Sequence, residues 1–203
     1  MLVAFDFDGT ITDRDSLQDF VRRMRGWTVC LKAYLACLPR LLWLDRGPVR
    51  RQAIKARFLA SALAGLDRDQ LQALADVYVR EYLPGLLRPE MLERLRAHRR
   101  RGDTVVLVSA SPSLYLQVWA HQEGIAQVLA TELAFDGQGR FSGLGSPNCW
   151  GEEKVRRLQM WLGQESVSLD MAYGDSQGDA AMLARARLPW LRTRDAGLPE
   201  LSF

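Results

Sequence analysis

Cysteine and histidine are scarce in this 203-residue sequence, and their scarcity excludes several kinds of site. The three cysteines, Cys30, Cys37 and Cys149, are an odd number without a CxxC pair. They therefore predict neither a disulfide framework nor a four-ligand zinc site. His98 and His121 both lie in stretches with helical patterning, so a histidine-rich metal centre or a histidine-based triad is not expected. We expect reduced, packed thiols in a cytoplasmic protein.

A long uninterrupted apolar run is also missing. The most apolar window, residues 27–44, contains Lys32, Pro39 and Arg40, whereas a spanning helix needs about 20 mostly apolar residues. The start, MLVAFDFDG, has no basic stretch before an apolar one, so no signal peptide is expected. Because apolar residues nearly encircle a helix over this window, it must be buried, paired, or lying against an apolar surface.

Acidic residues are almost absent from residues 20–60, although the whole chain carries a net charge of only +3. This segment has ten Lys and Arg residues against the single acid Asp45, which leaves +9 there and −6 in the remainder. Such a surplus indicates an anionic substrate or surface, or only a solvated helix face. Nothing in the sequence resembles a nucleic-acid-binding module, so no nucleic-acid partner is expected.

Apolar residues at 48% and charged residues at 25% are typical of a folded globular chain. Strand-like runs alternate with helical patterns in most of the sequence, which predicts a parallel sheet covered by helices on both faces. The fold class is therefore a three-layer α/β core. The predicted strands are residues 2–5, 104–109, 168–173 and 188–191, with a hairpin within 128–142 that turns at Asp136-Gly137.

One all-helical stretch interrupts this alternation directly after the first strand. Four helices are predicted there, with breaks at Gly26, near Pro39, at Gly47-Pro48 and at Gly65. We predict that residues 15–84 form an inserted helical cap. Residues 1–14 and 85–203 would then form the catalytic core.

Polar side chains follow the predicted strands. Asp6 and Asp8 come after the first strand, and residues i and i+2 of an extended chain point the same way. Two carboxylates there repel each other unless a cation or a proton lies between them. Gly9 permits a sharp turn and a close approach of the backbone to a ligand. The carboxyl edge of the sheet is thus the predicted site.

Three further motifs are expected at the same edge. Ser109 ends the second strand, where a hydroxyl and the following N–H groups can receive an anion. Lys154 lies near the start of a later helix, and Asp175 and Asp179 stand in the turn GDSQGD after the third strand. Each motif alone arises by chance in many chains, but their order and positions indicate one site.

The motifs DFDGTIT, VSASPSLYL, CWGEEKVRRL and YGDSQGDAAML resemble those of haloacid dehalogenase superfamily phosphatases. The resemblance is to the phosphoserine phosphatase-like branch, which inserts a helical cap after the first motif, and it covers nearly the whole chain. It implies an enzyme: a Mg²⁺-dependent phosphomonoester hydrolase that acts through an aspartyl-phosphate intermediate.

The resemblance also implies a role for each motif residue. Asp6 would be the nucleophile, and Asp8 the general acid that later acts as base. The Asp6 carboxylate, the Asp8 carbonyl and the Asp175 carboxylate would hold Mg²⁺. Asp179 would orient Lys154 or a metal-bound water. Lys154 would neutralise charge on the nucleophile and the transition state.

The remaining implied contacts concern phosphate and substrate. The backbone near Gly9 and Ala110 and the hydroxyl of Ser109 would hold phosphoryl oxygens, and Thr10 would bind phosphate or shape the loop. Asp15 either contacts substrate or caps the first helix of the cap.

The substrate stays open, and a small soluble phosphate ester of the phosphoserine or histidinol phosphate type is our first hypothesis. On that reading Trp27, Tyr34, Trp43 and Phe58 are core residues of a small closed cap, with ligand contact as the alternative for them. The alternative is a lipid phosphate phosphatase of the phosphatidylglycerophosphate phosphatase type, peripheral to the inner face of an anionic membrane. A phosphotransferase on the same scaffold is a further alternative. The sequence does not predict the oligomeric state.

Overall fold

A computed structural model describes residues 1–43 and 47–201, with the side chains of residues 40–43 and 48 left out of the description. The described helices are α1 (Ser16–Arg25), α2 (Trp27–Trp43), α3 (Pro48–Ala62), α4 (Arg68–Glu81), α5 (Pro89–Arg100), α6 (Ser113–Gln122), α7 (Glu152–Leu162) and α8 (Ala180–Leu183). The described strands are β1 (Leu2–Phe5), β2 (Thr104–Pro112), β3 (Gln127–Thr131), β4 (Leu133–Phe135), β5 (Phe141–Leu144), β6 (Leu169–Gly174) and β7 (Ala186–Leu191). Short 3₁₀ turns cover Leu83–Leu86 and Gln177–Asp179.

Five strands form one parallel sheet in the order β3-β2-β1-β6-β7. In β1 the side chains alternate between two buried clusters, because successive residues of a strand point to opposite faces. Val3 and Phe5 belong to one cluster, and Ala4 belongs to the other with Leu158 of α7. Because both faces of the sheet are buried, the strands appear in the sequence as short continuous apolar runs. The predicted three-layer α/β core is confirmed.

Four helices occupy the stretch after β1, and the predicted breaks at Gly26, Gly47-Pro48 and Gly65 are confirmed. The predicted break near Pro39 is wrong, since α2 continues through this residue. Pro39 is exposed, so the helix carbonyl that lacks its usual N–H donor can be solvated. Leu44 and Asp45, which the sequence analysis also discussed, lie outside the described residues.

The chain leaves the sheet and returns to it at one place. Thr12 and Leu87 form an antiparallel bridge, the Asp13 N–H donates to the Leu86 carbonyl at 2.9 Å, and the Arg88 N–H donates to the Ile11 carbonyl at 2.8 Å. Both ends of the segment α1–α4 therefore lie beside the carboxyl end of β1. This arrangement supports the proposed division into a core and a cap at residues 15–84.

Aromatic packing joins α1–α4 to the rest of the molecule. The Phe20 ring lies 5.3 Å from the rings of Tyr78 in α4 and Tyr115 in α6, and all three side chains are buried. The hydrophobic cluster on this side of the sheet thus continues into the helical segment. The hairpin β4–β5 adds a second link, because the Phe141 N–H donates to the Leu66 carbonyl at 2.9 Å.

Two predictions about the apolar residues of this segment are corrected. Trp27 and Tyr34 are 66% and 39% exposed rather than core residues, whereas Phe58 is buried as expected. The side chain of Trp43 lies outside the description. Among the described residues, no helix is both long and apolar enough to cross a membrane.

Candidate active site

A cavity of about 690 Å³ lies at the carboxyl edge of the sheet, under α1, α2 and α3. The last residues of β2 and the segments that follow β1, β6 and β7 contribute to its lining. Ligands of open α/β sheets bind at this edge, where the strand ends diverge. Of the predicted site residues, the cavity walls include Asp6, Asp8, Gly9, Asp15, Ala110, Lys154, Asp175 and Asp179.

The ammonium group of Lys154 lies at the centre of the floor and is only 1% exposed. It donates to the Asp6 Oδ1 and Asp179 Oδ1 atoms at 2.6 Å each and to the Val108 carbonyl at 2.7 Å. All three ammonium protons are thus used. Burial alone would lower the pKa of Lys154, but the Asp6 and Asp179 carboxylates hold it well above its ordinary value. Lys154 is therefore a permanent buried cation.

The carboxylate of Asp6 is held at both oxygens. Lys154 donates to Oδ1, and the Thr10 hydroxyl donates to Oδ2 at 3.1 Å. Burial raises the pKa of Asp6 to about 7, with the charge of Lys154 opposing that rise. A buried carboxylate with few water contacts and a fixed orientation is suited to attack an electrophile in the cavity.

Asp8 is held by different donors. The Ser16 N–H donates to Oδ1 at 2.7 Å, and the Ser111 hydroxyl donates to Oδ2. Burial raises the pKa of Asp8 to about 6, and the nearby charge of Asp15 adds to the rise, while the hydrogen bonds from Ser111 and Ser16 oppose it. A carboxyl group with a pKa near the working pH can both give and take a proton.

The residues at the cavity floor fit a bound divalent cation. Carboxylate oxygens of Asp6, Asp175 and Asp179 lie within 4.8 Å of one another, and burial raises the pKa of Asp175, as does the charge of Asp179. A cation would relieve this repulsion, and a set of carboxylate oxygens is the chemistry that Mg²⁺ prefers. Gly9 makes room for the cluster: its φ is +77°, and a Cβ there would lie 2.2 Å from Asp175 Oδ2.

Two predicted residues lie behind the cavity wall, and Asp15 of the wall has a second contact. Thr10 is fully buried and contacts Asp6. Ser109 is 1% exposed, and its hydroxyl oxygen accepts the Ser111 N–H at 3.0 Å. Asp15 lines the cavity and caps α1 by accepting the Gln18 N–H at 2.9 Å. The capping alternative for Asp15 is thus confirmed. Because Asp15 also lines the cavity, a contact with substrate stays a prediction.

Sequence reasoning missed several residues of the cavity. Arg192 follows β7, and its Nε donates to the Gly9 carbonyl at 2.6 Å while a terminal nitrogen lies 3.6 Å from Asp175. Arg192 directly follows the predicted strand 188–191, and this position could have indicated that it lies at the site. Lys55 of α3 donates to Asn148 Oδ1 at 3.0 Å and to the Ala110 carbonyl, and burial lowers its pKa. No sequence pattern separated Lys55 from the other basic residues of the segment.

Comparison with known proteins identifies the family. Residues 3–184 match the family model of the haloacid dehalogenase-like hydrolases. This chain belongs to that family. The prediction of a haloacid dehalogenase-family phosphatase is thereby confirmed at the level of family and enzyme class.

Individual relatives agree with this assignment. The protein CicA of Caulobacter vibrioides is 34% identical over 190 residues, which cover 92% of this chain and 83% of CicA. A histidinol-phosphatase of Neisseria meningitidis is 25% identical over 151 residues, 71% of this chain and 68% of that enzyme. The crystal structure of a phosphoserine phosphohydrolase-like protein from Francisella tularensis has a TM-score of 0.62 at 18% identity, with 92% and 83% of the two chains covered. That structure supports the fold alone.

Proposed function

We propose that this chain hydrolyses phosphomonoesters with Mg²⁺ and that Asp6 carries the phosphoryl group between two half-reactions. The observation that carries the proposal is the fixed carboxylate of Asp6, held by Lys154 and Thr10 in the same cavity as the Asp8 carboxyl group. When bound, Mg²⁺ would be held by Asp6, Asp175 and the Asp8 carbonyl, and it would offset the repulsion between these carboxylates and the phosphate.

In the first half-reaction a carboxylate oxygen of Asp6 attacks phosphorus, and the bond between phosphorus and the ester oxygen breaks. Asp8, whose pKa is raised to about 6, gives its proton to the leaving oxygen. In the second half-reaction Asp8 takes a proton from a water molecule that attacks the same phosphorus. The bond between phosphorus and Asp6 then breaks, inorganic phosphate leaves, and both carboxyl groups return to their first states.

Other residues act on charge and position. Lys154 offsets negative charge on Asp6 throughout, and Asp179 orients Lys154 by accepting a hydrogen bond from its ammonium group. Backbone N–H groups near Gly9 and Ala110 and the Ser109 hydroxyl are the proposed phosphate donors. The Ser109 hydroxyl oxygen accepts the Ser111 N–H, and the side chain lies behind the cavity wall at 1% exposure, so its contact with a phosphoryl oxygen stays a prediction.

For the substrate we propose, first, a small soluble ester of the phosphoserine or histidinol phosphate type. Charges of both signs line the cavity beyond the catalytic floor, namely Asp15, Arg51 and Lys55. These groups suit an organic part that carries its own ionised groups. A histidinol-phosphatase among the relatives is consistent with this choice.

A lipid phosphate is the second candidate, and a specific observation favours it. Apolar side chains form part of the cavity wall, among them Leu17, Tyr34, Ile54 and Phe58. An ester with an apolar organic part would bury surface against this wall, at about 25 cal/mol per Å².

The test is phosphate release from a panel of esters with Mg²⁺, with Asp6→Asn and excess chelator as controls. The panel contains O-phosphoserine, histidinol phosphate and a lysophosphatidic acid. Mg²⁺-dependent release from one of them, absent in both controls, supports the proposal and selects the substrate class. Release from none of them, with p-nitrophenyl phosphate also unreacted, refutes it. Glycerol is added in a further reaction as an acceptor alcohol. Formation of more phosphorylated glycerol than free phosphate would indicate a phosphotransferase instead.

A further inference from the structure

The exposed face of α2 is apolar. Trp27, Leu31, Leu35 and Leu38 are 66%, 47%, 54% and 49% exposed. Their spacing of four, four and three residues places them along one face of the helix. The opposite face is also apolar but buried, with Cys30, Ala33 and Cys37 at 4% exposure or less. Single exposed leucines are ordinary, whereas a row of four large apolar side chains on one helix marks an interaction surface. We call these four residues the α2 stripe.

The α2 stripe reaches the mouth of the cavity. Tyr34 lies one residue from Leu35 on the same exposed side of α2, is 39% exposed, and also forms part of the cavity wall. Its ring lies 5.1 Å from the Phe58 ring of α3, which also lines the cavity. Tyr34 therefore links the exposed apolar face of α2 to the wall of the cavity in which phosphate would react.

Positive charge lies on the same segment of chain as this apolar surface. Lys32 is exposed on α2 beside the stripe. Arg23 is exposed near the end of α1, 3.6 Å from Asp19 and over the Tyr82 ring, and Arg51 is exposed at the cavity wall over the Trp150 ring. They belong to the segment of residues 20–60, which has a net charge of +9. A second copy of this chain would bring a similar positive charge against this face, which opposes self-association. An anionic lipid surface complements both features, since apolar side chains enter the headgroup boundary while basic ones meet lipid phosphates.

We propose that the α2 stripe docks on an anionic lipid surface, so that the cavity opens beside that surface and takes phosphate esters presented there. The helix would lie in the interface and not cross it. The docking itself is inferred from the exposed apolar side chains of the α2 stripe and from the basic residues of the same segment. Only the choice of substrate rests on the proposed phosphatase function.

The test is cosedimentation of the full chain with vesicles of phosphatidylglycerol and phosphatidylcholine, compared with vesicles of phosphatidylcholine alone. We expect binding to the anionic vesicles to be stronger, and to fall when salt rises from about 0.1 M to about 1 M and the Debye length shrinks from about 10 Å to about 3 Å. The double variant Leu31→Asn/Leu35→Asn should bind at least about tenfold more weakly. Lys32→Glu should lower binding by roughly tenfold and reduce its salt dependence.

Matched controls change equally exposed residues elsewhere. Met160→Asn alters an apolar side chain of α7 that is 68% exposed, and Arg187→Glu reverses an exposed charge on β7; both should bind like wild type. Hydrolysis of p-nitrophenyl phosphate in solution should be unchanged in the double variant, whereas its hydrolysis of vesicle-bound lysophosphatidic acid should fall with binding.

Three results separate the possible failures. No cosedimentation in any condition, or equal binding by the double variant, overturns the docking. A dimer that the double variant dissociates, without vesicle binding, overturns it in favour of a second copy. Vesicle binding that depends on the α2 stripe, with no hydrolysis of any ester, upholds the docking and refutes the phosphatase function.

Discussion

Removal of the Lys154 charge should disable the site and destabilise the protein, with a dependence on pH that identifies the cause. The substitution Lys154→Met keeps an unbranched apolar chain but removes the ammonium group that bridges Asp6 and Asp179 at 2.6 Å each. Two buried carboxylates then face each other without their cation. Breaking such a buried pair costs about 3–5 kcal/mol.

The sign of the pH dependence follows from Asp6. Its pKa is already raised to about 7 by burial, and loss of Lys154 raises it further. An acid whose pKa is higher in the folded state than in the unfolded one binds more protons when folded, so it stabilises the fold as pH falls. The stability deficit of Lys154→Met should therefore be largest near pH 8 and shrink towards pH 5. Protonated Asp6 is a poor nucleophile, so turnover should fall by about 10²–10³ or more.

Urea unfolding at several pH values and hydrolysis of p-nitrophenyl phosphate measure the two effects. The matched control is Lys32→Met, which removes an exposed lysine and should change stability by less than about 0.5 kcal/mol. A Lys154→Met protein that loses less than about 1 kcal/mol at every pH and keeps turnover within about tenfold of wild type would refute the reasoning.

Three further predictions concern the acid, the cation and a distant histidine. Asp8→Asn should slow turnover by about 10²–10⁴. The loss should be larger for an alkyl phosphate than for p-nitrophenyl phosphate, because the alkyl leaving group needs the proton more. If Asp8→Asn hydrolyses the alkyl ester as fast as wild type does, Asp8 is not the acid. Excess chelator should abolish hydrolysis, Ca²⁺ should inhibit it, and Asp175→Asn should raise the Mg²⁺ concentration for half-maximal rate at least about tenfold; undiminished turnover in chelator would contradict the metal site. Burial lowers the pKa of His98, and the hydrogen bond that its Nδ1 makes to the Asp103 carboxylate opposes this. As pH falls, the unfolded state therefore binds a proton at this histidine before the folded state does, and stability should fall as pH drops below about 6.5. The variant His98→Gln should flatten that fall, whereas His121→Gln, at an exposed position, should not; an NMR titration that places the His98 pKa above 6.5 would contradict the sign.

The sheet and its site could be predicted because the pattern is local. A four-residue apolar strand followed by Asp6 and Asp8 is visible within one short window, and the parallel arrangement brings such strand ends together. Gly26 ended α1 and Gly47-Pro48 began α3 as expected, because backbone conformation at glycine and proline depends on the residue itself. Pro39 did not, because it stands on the solvated side of α2, where the loss of one hydrogen bond can be tolerated.

Contacts between distant segments could not be predicted in the same way. Ser111 hydrogen bonds to Asp8 across 103 positions of sequence, and Lys55 reaches Asn148 across 93. Neither has a local pattern that distinguishes it from neighbouring serines or basic residues. The exposure of Trp27 and Tyr34 was missed for a related reason: helical spacing shows that apolar residues share a face, but not whether a neighbour covers that face.

The most direct test of the central claim is the detection of a phosphoryl group on Asp6. The full chain is mixed with Mg²⁺ and a substrate identified by the panel, quenched in acid within one turnover, digested, and analysed by mass spectrometry. The account predicts a phosphorylated peptide whose modification maps to Asp6, disappears once the substrate is exhausted, and is absent from Asp6→Asn. Full turnover by Asp6→Asn, or a phosphorylated peptide that maps to another residue, would contradict it.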